Sequence, residues 1–221
     1  MLRKLLQDKR FKSDVEKFYE KNKAIIDDIV IFGSASREKE EASDIDVLII
    51  LKAESPGIEK ICRDMFQDEK FHVIVKLRQE LESPAFIPRE GYLFEGYSLI
   101  KNQYIANNYG YEAMYMFVYS TKNLPNSKRT KFYYAMNGRG DKGFAENANL
   151  LKVSDGVLMA PINEKENVVE FLRHWDIAAR DYEILIPKRK KETLFGSLKN
   201  KIASPSQKEK NEFWMDKNRP K

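Results

Sequence analysis

The stretch from Ile29 to Ile50 reads IVIFGSASREKEEASDIDVLII. Ile29-Val30-Ile31-Phe32 is short, apolar and β-branched, which predicts a buried strand. Gly33-Ser34 ends it. A polar stretch from Ser34 to Ser43 follows, and Asp44-Ile45-Asp46 opens a second apolar run, Ile45 to Leu51. Side chains alternate along a strand, so Asp44 and Asp46 are expected on one face. Two adjacent carboxylates repel unless something positive lies between them. A hard divalent cation answers that need, because Mg²⁺ takes oxygen ligands and shares them with substrate phosphates. Gly33 lets a backbone come close to a phosphate, and Ser34 offers a hydroxyl and an amide. The pattern predicts a phosphate seat beside a metal seat.

Phe32-Gly33-Ser34, a spacer containing Arg37, and Ser43-Asp44-Ile45-Asp46-Val47 together resemble the nucleotidyltransferase superfamily of DNA polymerase beta. Within it the closest likeness is to the minimal nucleotidyltransferases. The resemblance covers roughly residues 1–100, and Glu95-Gly96-Tyr97-Ser98-Leu99 is similar to the strand that closes the small domain of that family. It implies Asp44 and Asp46 as catalytic, metal-binding residues for Mg²⁺ (or Mn²⁺). It implies Gly33, Ser34, Arg37 and Ser43 as nucleotide-binding residues for an NTP such as ATP. The implied reaction is attack by an acceptor hydroxyl on the α-phosphorus with release of pyrophosphate. The family's third carboxylate belongs on the next core strand, and there this chain departs: Phe71 to Leu77 holds no acid. His72 is the one residue of that strand able to bind metal or take a proton. Glu80, Glu82 and Glu95 are weaker substitutes. A non-catalytic RNA- or protein-binding module on the same scaffold is the alternative that this gap leaves open.

Composition narrows the partners. Hydrophobic residues make up 42% and charged residues 33% of the 221, which supports a packed core rather than disorder. Cys62 is the single cysteine, and His72 and His174 are the only histidines, which argues against disulfide frameworks and Cys/His zinc clusters. With no apolar signal core near the N-terminus and no long apolar run, a cytoplasmic protein is expected. The net charge of +5 is uneven: Lys188 to Lys221 holds eleven Lys/Arg against four Asp/Glu, a net of +7. That basic tail and the second α+β domain point to RNA (tRNA-like) as acceptor, with a protein side chain as the other candidate. A solubilising tail without a specific partner is the plain alternative.

The expected architecture is α+β: a small mixed-sheet domain over 1–100, a second α+β domain of ferredoxin-like kind over 101–187, and the tail over 188–221. Leu2 to Asp28 reads as helix, with a second start at Ser13-Asp14. Gly57 to Gln67 reads as helix, Phe71 to Leu77 as strand, and Ser83 to Arg89 as loop. Beyond Lys101, strands are expected at Met114–Tyr119, Val157–Ala160 and Tyr182–Ile186, with one more between Leu150 and Val153. Helices are expected at Asn126–Met136 and Glu164–Trp175. Gly138-Arg139-Gly140-Asp141-Lys142-Gly143 matches G-x-G-x-x-G literally, but it follows a helix rather than a strand, the wrong context for a dinucleotide site. The tyrosines and phenylalanines from Tyr97 to Tyr134 read mainly as core, and beside Lys128, Arg129 and Lys131 as a surface on which bases could stack. His174 and Cys62 read as structural.

Overall fold

The computed structural model describes residues 2–33, 44–83 and 85–189. The N-terminal helical stretch divides in two, α1 (Leu2–Gln7) and α2 (Lys9–Asn22). The break comes at Asp8, whose carboxylate accepts from the amides of Arg10 and Phe11 and so caps α2. The helix ends well before Asp28, because the strand β1 already begins at Ile26 (Ile26–Phe32). Next come β2 (Ile45–Leu51), α3 (Ile58–Met65) and β3 (Phe71–Leu77).

β1 and β2 pair antiparallel, β2 and β3 parallel. The parallel pair is made possible by α3, which carries the chain back across the sheet. The remaining elements of this sheet were not foreseen. A 3₁₀ turn spans 78–82 ahead of the loop expected over Ser83–Arg89, and a helix, α4 (Arg89–Glu95), begins directly after Pro88 at the end of that loop. Its helix propensity is poor, with Gly91 inside it; burial of Tyr92 and Phe94 holds it. The expected closing strand shrinks to the two residues of β4 (Tyr97–Ser98), which pairs antiparallel with β1 and with β5 (Gln103–Tyr104). The sheet order is β3-β2-β1-β4-β5.

Both faces of this sheet are covered, which is why β1 and β2 read as nearly unbroken apolar runs. Ile29, Ile31, Val47 and Ile49 pack under α1, α2 and α3. Val30, Phe32, Leu48 and Ile50 pack under Leu81, Phe86 and Tyr92. Cys62 of α3 is fully buried, and desolvation, helped by Glu59, pushes its thiol up to about 11. One buried carboxylate locks the sheet edge: Asp28 accepts from the Ser98 hydroxyl at 2.6 Å and meets Lys101 Nζ at 3.2 Å.

The second sheet is built from β6 (Tyr111–Tyr119), β7 (Leu151–Ser154), β8 (Val157–Pro161) and β9 (Ala179–Pro187). Its order is β7-β8-β6-β9 and each pairing is antiparallel. Between strands run α5 (Ile105–Asn108) before β6, α6 (Asn126–Asn137), α7 (Phe144–Asn147) and α8 (Lys165–His174). Strand, helix, two strands, helix, strand with this order is the split βαβ arrangement of ferredoxin-like sheets. β6 and β9 each start three residues before their expected starts; of those leading residues only Ala113 is buried. Phe132 and Met136 of α6 and Val168 and Leu172 of α8 cover one face. Phe94 of α4 and Ala106 of α5 enter the same core, so the two sheets share it. The basic tail lies outside the described residues from position 190 onward. No helix among the described residues is long and apolar enough to cross a membrane.

Candidate active site

The antiparallel register places Phe32 opposite Asp46, and the parallel register places Asp46 beside His72. These pairs sit at one end of the sheet, where β1 ends and β2 and β3 begin. Along β2, Leu48 and Ile50 face the core under Tyr92, so Asp46 two residues earlier shares their face. Asp44, directly before the strand, falls on that face by the same alternation and is exposed. On β3, Ile74 packs to this side, which aligns His72 with the two aspartates.

The closest contact is His72 Nδ1 to Asp46 Oδ1, at 3.0 Å. A carboxylate only accepts, so Nδ1 carries the proton in a neutral imidazole and Nε2 is left as an acceptor. His72 is two-thirds exposed and Asp46 one-third, so the pair opens to solvent. Gly33 closes the other side. Its φ is +75°, and a Cβ placed there would come 2.5 Å from Asp46 Oδ2. Glycine is therefore required twice over, by the left-handed backbone and by the carboxylate against it. We expect Gly33→Ala to lower transfer about 100-fold, since a shift of about 1 Å in a reacting geometry has that scale of effect. The melting temperature should fall by only a few degrees. Nucleotide-dependent pyrophosphate release beside a thermal melt checks this; activity within threefold of wild type would refute the tight packing.

Ser34, Arg37 and Ser43 lie outside the described residues. Among the proposed substitutes for a third carboxylate, Glu80 is elsewhere. It accepts from Lys76 Nζ at 2.9 Å and from the Leu77 amide at 2.7 Å, at the far end of β3. Those hydrogen bonds, the Lys76 one foremost, hold its carboxyl below the ordinary range. The Glu82 side chain lies outside the described residues. Glu95 is buried at the end of α4, directly before β4, which pairs with Ile31; it lies at the Asp46 end of the sheet. Among the described residues, no group of three or more His, Cys, Asp or Glu gathers as a metal site. Asp44 and Asp46 nevertheless suit Mg²⁺, which needs only one or two protein carboxylates alongside substrate phosphates.

The other sequence features settle into structural places. The glycine-rich run from Gly138 leaves α6 and leads to the four-residue α7, with no strand before it. Arg139 stacks over Tyr134, 5.0 Å from its ring centroid. Tyr115, Phe117, Tyr119 and Phe132 are core, while Tyr133 and Tyr134 are exposed on α6. Tyr97 packs edge-on against Tyr104 at 5.2 Å, and burial raises its phenol. His174 packs edge-on against Trp175 at the end of α8. The Asp46–His72 contact could be anticipated from strand–helix–strand spacing, which implies parallel neighbours with both motifs at strand starts.

Comparison with known proteins adds one match. The family model described as "Nucleotidyltransferase domain" aligns with residues 9–92. That span runs from α2 into the start of α4 and holds Gly33, Asp44, Asp46 and His72 together. No curated protein and no solved structure matches the chain. Residues 9–92, which carry Gly33 and the aspartate pair on a mixed sheet, are thus similar to a nucleotidyltransferase domain.

Proposed function

We propose that the chain moves a nucleoside monophosphate from an NTP to an acceptor hydroxyl and releases pyrophosphate. The observation that carries this is Asp46 held between Gly33 and His72 at the open end of the sheet. Asp44 and Asp46 would hold Mg²⁺ (or Mn²⁺), which supplies Lewis-acid neutralisation of the phosphate oxygens. Gly33 and Ser34, with Arg37 and Ser43, seat the triphosphate. His72 keeps Nδ1–H on Asp46 and presents Nε2 toward the acceptor hydroxyl, whose proton it takes. The acceptor oxygen then bonds to the α-phosphorus, and the bond from that phosphorus to the bridging oxygen breaks, so pyrophosphate leaves.

RNA is the acceptor class we favour, with a tRNA-like 3′ end ahead of a protein side chain. The net +7 of residues 188–221, the exposed Tyr133 and Tyr134 of α6 and Arg139 just beyond that helix support it. In this reading residues 1–100 carry the chemistry, 101–187 and the tail hold the acceptor, and the protein works in the cytoplasm. The alternative, a non-catalytic RNA- or protein-binding module, is favoured by the histidine standing where the family has an acid.

Labelled NTPs with total RNA and with total protein, with and without Mg²⁺, test both. Label on RNA with pyrophosphate release is the expected result. His72→Gln should reduce that turnover about 100-fold, in the range of general-base loss, with KM for the NTP little altered. Absence of label on either acceptor, with NTP binding intact, favours the binding module.

A further inference from the structure

A cavity of about 260 Å³ opens at the other end of the first sheet. Its polar lining is Arg78, Arg89, Tyr92, Tyr109 and Tyr111, and the rest is mainly leucine. Arg78 follows Leu77, the last residue of β3, whereas His72 stands near its start. Five steps of strand at about 3.3 Å each put roughly 17 Å between this cavity and the Asp46–His72 contact. The cavity is therefore separate from the candidate active site.

Its charges are unevenly satisfied. Arg78 is ion-paired with Asp27. Arg89 is half-buried and has no acidic partner among the described residues. Tyr92 forms the buried floor; burial foremost, and then the neighbouring Tyr109 phenol, hold its own phenol above the ordinary range. A phenol both donates and accepts, so a bond between the two hydroxyls uses one O–H and leaves the other for a further acceptor. An apolar hollow with one guanidinium unpaired among the described residues and one spare phenol donor is complementary to an anion with an apolar body. The volume admits one ring and one anionic group, and is small for a triphosphate. The walls come from both halves of the chain: Arg78, Arg89 and Tyr92 beside the first sheet, Tyr111 and Leu185 on β6 and β9.

We propose that this cavity is a second ligand site, for a small organic anion carrying one carboxylate or phosphate on an aromatic or branched apolar body. Arg89 and Tyr109 take the anion, and the leucines take the body. Because the occupant touches both halves, it couples them and stabilises the whole chain.

The test is calorimetric titration of the full chain with phenyl phosphate and with phenylacetate, which separates the two anion types. Inorganic phosphate and benzyl alcohol probe each half of the ligand alone. One-to-one binding of at least one aromatic anion is expected, with each control weaker by about tenfold. Arg89→Gln, and Leu185→Trp to fill the mouth, should each weaken that binding about tenfold, while Asp46→Asn leaves it unaltered. The melting temperature of each variant shows that it is folded. Three results would overturn the proposal: neither aromatic anion binds up to about 10 mM, the Arg89 and Leu185 variants bind as wild type does, or Asp46→Asn abolishes binding.

Discussion

Asp46→Asn is expected to lower nucleotide transfer by about 10³-fold, the scale seen when a preorganised charge partner of a transition state is removed. The substitution keeps the shape of the side chain beside Gly33, so the close packing there survives. It removes the negative charge that faces the His72 Nδ1–H and that would hold a divalent cation under the proposed reaction. Little stability should go with it. The Asp46–His72 pair is largely solvent-exposed, and exposed pairs contribute about 0–1 kcal/mol. For a chain of this size that is a shift of at most about 4 °C in melting temperature. Pyrophosphate release under saturating NTP and Mg²⁺, with a melt of the same sample, reads both effects. A loss of less than tenfold would remove Asp46 from the chemistry, and a collapse of the melt would make its role structural.

The placement of the candidate site was legible in the sequence because it depends on local spacing. Gly-Ser at a strand end and Asp-x-Asp at the next strand start are fixed by strand geometry alone. His72 was legible as a candidate because a strand, a helix and another strand make parallel neighbours, both entered from the same end. The fold was legible where burial on both faces writes continuous apolar runs, as in Ile45 to Leu51. It was not legible in α4, where Pro88 and Gly91 argue for a loop and only the packing of Tyr92 and Phe94 makes a helix. Nor could a two-residue strand such as β4 be read, since its pairing with Ile31 and Val30 comes from the end of α4, not from its own composition. The second cavity was invisible for a further reason. Arg78, Arg89, Tyr109 and Leu185 meet only after both sheets have formed, and no local period relates them.

Tyr115→Ala is expected to destabilise the whole chain by about 3–5 kcal/mol, the usual range for truncating a buried aromatic. Tyr115 is fully buried on β6. Phe94 of α4 meets its ring edge-on at 5.1 Å, and Lys165 Nζ lies 4.2 Å from its centroid. The phenol reaches toward Glu183 of β9 at 3.4 Å. One side chain therefore touches β9, α8 and the helix that covers the first sheet. If this shared core makes the two sheets one cooperative unit, their unfolding moves together. Two reporters separate the halves. Cys62, the single cysteine, is buried under the first sheet with its thiol at about 11, so it stays unreactive until that half opens. Trp175 packs on Phe132 in the core of the second sheet, with ring centroids 5.7 Å apart. In denaturant, with Trp214 replaced by Phe so that Trp175 alone reports, Cys62 labelling and tryptophan fluorescence should share one midpoint, and that midpoint should fall for both when Tyr115→Ala is added. Phe94→Ala should shift it too, and the double variant should cost less than the two combined by about 0.5–1.5 kcal/mol. Should Cys62 protection persist while the fluorescence midpoint drops, the sheets unfold separately, and Phe94 is only a contact between them.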